Sequence, residues 1–87
     1  RDLALVCNKE VYVGDIEKII RKNAGKYLET LELFDVYEGE QLGEGKKSVA
    51  FSLSFRSVDH TLKDEEVNPA IDKILEALKA QNIEIRA

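Results

Sequence analysis

The chain has 87 residues, a formal net charge of −4 and one cysteine. That length limits it to one domain with a modest core, and the acidic balance counts against a general nucleic-acid binder, whose surface is basic. Ordinary apolar content with many charges excludes a disordered chain, no apolar run is long enough to span a bilayer, and no signal-peptide pattern is present.

Asp2 to Cys7 reads as a short strand, with Leu3 and Leu5 on one face and Ala4 and Val6 on the other. Cys7 closes the apolar run LALVC and has no disulfide partner in the chain. It reads as a buried structural thiol in a reduced, intracellular protein. The connector Asn8 to Val13 leads to a first helix that starts near Gly14 or Asp15, with Asp15 as its N-cap. Its apolar stripe is Ile16, Ile19, Ile20, Ala24 and Tyr27. Acids lie early and bases late, matching the helix dipole, and Gly25 marks the stop.

A second strand runs from about Glu29 to Glu38. Alternation puts Phe34 and Val36 on one face and Leu31, Leu33, Asp35 and Tyr37 on the other; apolar residues on both faces allow a bulge or a covered face. The linker Gly39 to Lys46, with glycines at 39, 43 and 45, reads as a long hairpin loop. The third strand, Lys47 to Arg56, alternates cleanly. Val49, Phe51, Leu53 and Phe55 point to a core, while Ser48, Ala50, Ser52, Ser54 and Arg56 point away. A polar connector, Ser57 to Lys63, precedes a second helix from about Asp64 to Gln81 with the stripe Val67, Ile71, Ile74, Leu75 and Leu78. Pro69 lies late for a helix start and deprives the Glu65 carbonyl of its usual partner. A brief strand, Ile83 to Arg86, presents Ile83 and Ile85 to one side.

The order β-α-β-β-α-β predicts an α+β, ferredoxin-like fold: a four-stranded antiparallel sheet with two helices on one face. The helices are expected to cover Leu3, Leu5, Phe34, Val36, the Val49 to Phe55 set, Ile83 and Ile85. The other face is left open and displays Ala4, Val6, Asp35, Tyr37, Ser48, Ala50, Ser52, Ser54 and Arg56. Residues 1–87 form a single domain in this reading. The start at Arg1, without an initiator methionine, reads as a piece of a larger protein.

Catalysis finds little support. His60 is the one histidine, placed in a polar connector without an obvious nucleophile beside it. One cysteine and one histidine do not make a closed zinc site. The glycine-rich loop fails the phosphate-binding pattern, because Gly45-Lys46 is followed by Lys47 and Glu40 stands where the first glycine belongs. A standard RNA-recognition motif fails as well, since Phe51 and Phe55 fall in the core set and leave Tyr37 as the aromatic of the open face. An acyl-phosphate hydrolase on this fold needs an anion-binding loop after the first strand, and Asn8-Lys9-Glu10 does not provide one.

The runs F-D-V-Y-x-G (34–39), E-G-K-K-S (44–48) and T-L-x-D-E-E-V (61–67) together resemble the ferredoxin-fold anticodon-binding domain, which closes the β subunit of bacterial phenylalanyl-tRNA synthetase. The resemblance spans nearly the whole chain. Lys63 departs from it where a helix-capping hydroxyl is frequent, moving the cap to Asp64, and Pro69 departs from it too. The resemblance implies a non-catalytic domain that grips the anticodon stem-loop of tRNA(Phe). Its parent would be a cytoplasmic heterotetrameric ligase, with the α subunit and the rest of the β subunit as partners. ATP and Mg²⁺ would act elsewhere in the parent, and no cofactor in this domain. The family's anticodon contacts fall on Ala4, Asp35, Tyr37 and Ser48, all on the face that alternation leaves open. Tyr37 can stack on a base, Asp35 can accept from the N1–N2 edge of guanine, Ser48 can donate or accept, and Ala4 lets a base lie close. Arg1, Lys46, Lys47 and Arg56 are the candidates for neutralising phosphates.

The competing reading is a protein-interaction or assembly module that uses the same open face. Leu31, Leu33 and Val6 on that face, and the negative net charge, favour it.

Overall fold

The computed structural model describes residues 1–86, and of Glu40 the backbone only. The elements are β1 (Asp2–Asn8), α1 (Val13–Asn23), β2 (Leu28–Tyr37), a 3-10 turn at Glu40–Leu42, β3 (Lys46–Phe55), α2 (Asp64–Lys79) and β4 (Glu84–Ile85). The strands form one sheet in the order β2-β3-β1-β4, antiparallel at every pairing. This is the ferredoxin-like arrangement expected from the element order. Both helices pack on one face of the sheet. Ile16 and Ile20 of α1 and Ile74 and Leu78 of α2 meet Leu3, Leu5, Cys7, Val49, Phe51 and Leu53 in one buried cluster.

The helix ends follow from local chemistry. Helix α1 begins three residues earlier than the Asp15 cap implies. Tyr12 is its N-cap and makes no side-chain cap bond, so Asp15 sits inside the first turn, where its negative charge complements the positive end of the helix dipole. Its stop is as expected, for Gly25 adopts φ +79°, a conformation that costs a residue with a Cβ. Helix α2 is capped at Lys63, again without a side-chain bond, so Asp64 is its first residue rather than its cap. The helix continues through Pro69.

The second strand departs from simple alternation. Its pairing with β3 slips twice, between Leu28 and Thr30 and between Leu33 and Asp35. Leu31 therefore lies opposite Leu53 and Leu33 opposite Phe51, both on the core face. After the second slip Asp35 lies opposite Ala50 and Tyr37 opposite Ser48, on the other face. An extra residue in a bulge reverses the side on which the following residues point. Leu31 is thus buried in the core and is no part of the open face. Phe34, expected in the core, is the inserted residue and is 58% exposed. Val36 keeps the core side, opposite Val49, but lies half-exposed on an edge strand, and so does Ile85 on the opposite edge. Both apolar supports for an assembly face on β2, Leu31 and Leu33, are removed by this register.

Cys7 is fully buried, as expected. Burial pushes its thiol pKa up, against a smaller opposing pull from Lys47 and Lys46.

The register carries a direct test. Phe51→Ala should lower unfolding free energy by about 3–5 kcal/mol, as expected for a large buried aromatic. Phe34→Ala should cost less than about 1 kcal/mol, as at an exposed position. Urea unfolding of the two variants measures both. Equal losses would place Phe34 back in the core.

Candidate functional site

The face turned away from the helices is built in rows by the strand register. Tyr37, Ser48, Val6 and Glu84 form one row across all four strands. Asp35, Ala50 and Ala4 form the next, extended by Arg86, whose backbone N–H donates to the Ala4 carbonyl at 2.6 Å. The middle of this platform is small: Ala4, Ala50, Ser48 and Val6. Small residues leave room above them for longer side chains from the edges. Two such chains meet there. The Arg86 guanidinium lies 5.6 Å from the centre of the Tyr37 ring, although Tyr37 is on β2 and Arg86 follows β4, with two strands between them. A cation at that distance from an aromatic ring is attracted to it. Ser48 is 4% exposed and Ala50 9%.

Four of the expected residues, Ala4, Asp35, Tyr37 and Ser48, are thus neighbours at one end of the sheet. The four expected cations are not. Lys46 lies opposite Asn8 on the same face, and its Nζ donates to the Asn8 Oδ1 at 2.7 Å. Lys47 points the other way and donates to the Val11 carbonyl at 2.6 Å. Arg1 and Arg56 stand at the far end of the sheet, since Lys46 and Arg56 are separated by ten residues of extended chain, roughly 33 Å. There Arg1 pairs with Asp64 at 2.8 Å and Arg56 lies 3.9 Å from Glu29. Single-residue alternation cannot reveal this division, because it depends on which strand ends lie together.

Arg86 is the residue that sequence reasoning missed. It is the last described residue, and its local sequence, Glu84-Ile85-Arg86, looks like any polar end. Only the pairing of β4 beside β1 aims it across the platform. The resulting electrostatics are mixed. Arg86 and Lys46 flank a face that also carries Asp2, Glu32, Asp35 and Glu84 by register. Such a surface provides one aromatic ring, several carboxylates and two local cations, which suits a ligand with a flat ring, hydrogen-bond donors and a negative charge held near Arg86 and Lys46.

A second cluster lies at the other end. The connector after β3 borders a hollow of about 520 Å³ lined by residues 55–62. His60 is not isolated there. Its Nε2 is 2.7 Å from Glu66 Oε2, its Nδ1 is 3.4 Å from Ser57 Oγ, and its ring meets Tyr27 edge-on with centroids 6.2 Å apart. The order serine, histidine, carboxylate superficially resembles a nucleophile relay. However, the Ser57 contact is long, and the same hydroxyl accepts the Asp59 backbone N–H at 3.2 Å. Ser57 is therefore a turn residue, and His60–Glu66 is a clamp between the connector and α2.

The hydrogen bond from His60 is the main cause that holds the Glu66 carboxyl below its ordinary pKa. A depressed carboxylate pKa stabilises the fold above the ordinary value, and that contribution disappears as pH falls through the folded one. Glu66→Gln should therefore be less stable than the parent near pH 6, with the gap closing once pH drops below the usual carboxylate range. Thermal melts across pH 2–7 (roughly the window over which carboxylates titrate) measure it. A gap that persists at the acid end would mean that Glu66 acts by packing, not charge.

The family model described as the ferredoxin-fold anticodon binding domain matches residues 1–86. Similar curated proteins are phenylalanine–tRNA ligase β subunits. That of Clostridium tetani is 54% identical over 79 residues, which are 91% of this chain and 10% of that protein. That of Bacillus subtilis is 51% identical over the same shares. That of Corynebacterium glutamicum is 48% identical over 87 residues, 99% of this chain and again 10% of the relative. The chain thus spans about a tenth of the length of the curated relatives it matches.

Proposed function

This chain belongs to the ferredoxin-fold anticodon-binding domain family, and from that premise we propose that it is one domain of a phenylalanine–tRNA ligase β subunit that grips the anticodon stem-loop of tRNA(Phe). The whole ligase, with its α subunit and the rest of the β subunit, joins phenylalanine to that tRNA in the cytoplasm, using ATP and Mg²⁺ bound outside this domain. The domain itself binds RNA and performs no chemistry.

One observation carries the reading. The register places Tyr37, Asp35, Ser48 and Ala4 side by side on the face away from the helices, over a floor of small residues. An unpaired anticodon base stacks on Tyr37. It takes the place of the Arg86 guanidinium, which is then free to meet the same nucleotide. Asp35 accepts from the N1–N2 edge of a guanine, an edge that single-stranded bases expose. Ser48, nearly buried beside Tyr37, reaches the base once Arg86 withdraws. Ala4 sets the closest approach. Among the four cations read from the sequence, Lys46 stands at the platform and is the one that neutralises phosphate there. Arg1 and Arg56 lie too far along the sheet to share that role, and Lys47 is turned toward the helix side.

The test uses the intact ligase and equilibrium tRNA binding. Tyr37→Ala should weaken tRNA(Phe) binding about 5- to 150-fold, the equivalent of about 1–3 kcal/mol for a lost stacking contact. Asp35→Ala should shrink the preference for tRNA(Phe) over the same tRNA with its anticodon guanine replaced. Unchanged affinity in both variants would overturn the assignment. A salt titration separates the cations. Lys46→Gln should flatten the log–log dependence on salt by about 0.7–1, one phosphate's worth, while Arg56→Gln leaves it unchanged.

A further inference from the structure

Tyr37 is the last residue of β2, and the chain folds back beneath its side chain immediately afterwards. The 3-10 turn is closed by the Leu42 N–H donating to the Gly39 carbonyl at 3.0 Å. This brings Gly39 under the ring. A Cβ added to Gly39 would lie 2.6 Å from Tyr37 Cζ and 2.8 Å from Cε1, and closer still to the hydroxyl oxygen. Real side chains do not approach that near. The glycine is not required by its own backbone, because the left-handed glycines of this chain are Gly25, Gly43 and Gly45. It is required by the ring that rests on it. From the same turn, Gln41 Nε2 donates to the Tyr37 hydroxyl. The ring is thus seated on bare backbone, tethered at its oxygen by Gln41 and faced by Arg86.

We propose that Gly39 and Gln41 are positioning residues that hold the Tyr37 ring ready for a stacking base, so that the loop after β2 is a working part of the RNA site. The proposal rests on the reading of Tyr37 as the stacking residue. An exposed tyrosine at a strand end has several rotamers open to it, and binding must select one. A ring already seated loses less freedom when a base arrives. Gly39 clears the seat, and Gln41 keeps the ring in it. Neither needs to touch RNA.

The experiment is a double-mutant cycle on the intact ligase, read by tRNA(Phe) affinity. Gln41→Leu should weaken binding about two- to fivefold, a lost neutral hydrogen bond. The same change should have no effect in a Tyr37→Phe background, where the hydroxyl is gone. Gly39→Ala should weaken binding more strongly and should have no effect in a Tyr37→Ala background. A crystal structure of the Gly39→Ala ligase should show the ring displaced on an otherwise unchanged sheet. Equal losses in both backgrounds, or an undisplaced ring, would overturn the positioning role. A displaced ring together with a Tyr37→Ala ligase that binds tRNA normally would instead overturn the stacking role, and with it the purpose assigned to the seat.

Discussion

Strand β3 is hydrogen-bonded along both edges and sends Val49, Phe51 and Leu53 into a layer that solvent does not reach. The other elements take their places from it. β1 pairs residue for residue along one side, β2 pairs along the other with two slips, and both helices close over the buried set. A two-sided strand allows no one-residue error, because a shift would exchange Phe51 and Leu53 for Ser52 and Ala50 in the core. That constraint secures the small, flat floor of the opposite face. Ser48 and Ala50 lie on the platform because Val49 and Phe51 are held on the other side.

The bulge in β2 solves a local conflict between core and platform. Leu31 and Leu33 are apolar at alternating positions and belong beneath the helices; Asp35 and Tyr37 share their parity yet belong on the other face. One inserted residue, Phe34, reconciles the two halves by reversing the side of everything after it. The strand thus contributes to the core first and to the opposite face afterwards, and leaves Phe34 exposed at the point of reversal. Bulges stand beside functional sites for this reason: they re-aim side chains without breaking the sheet.

The platform works through reach as much as through composition. Tyr37 and Arg86 belong to opposite edges of the sheet and meet because Ala4, Ala50, Ser48 and Val6, none of them long, occupy the two strands between them. A larger residue at Ala4 or Ala50 would hold them apart. The net charge of −4 is compatible with the proposed RNA-facing surface because Arg86 and Lys46 stand locally at the platform, whereas Arg1 and Arg56 are tied to acids at the far end. Seated on Gly39 and tethered by Gln41, Tyr37 presents a defined surface on an otherwise adaptable edge.

Much of the fold was legible in local patterns. The period-two alternation of β3, the helical stripes that contain Ile20 and Leu78 and the stop at Gly25 each depend on a few consecutive residues, so the sequence by itself determined the element order, the buried side of β3 and a platform containing Ala4, Asp35, Tyr37 and Ser48. The failures share one cause. Phe34 as a core residue, Leu31 and Leu33 on the open face and the neglect of Arg86 all required knowledge of what lies across from a residue. Strand register, the position of a bulge and the direction of a long side chain at an edge are set by partners distant in the chain. Only the tertiary structure decided them, because hydrogen-bond pairing between strands, unlike side-chain alternation along one strand, is a non-local property.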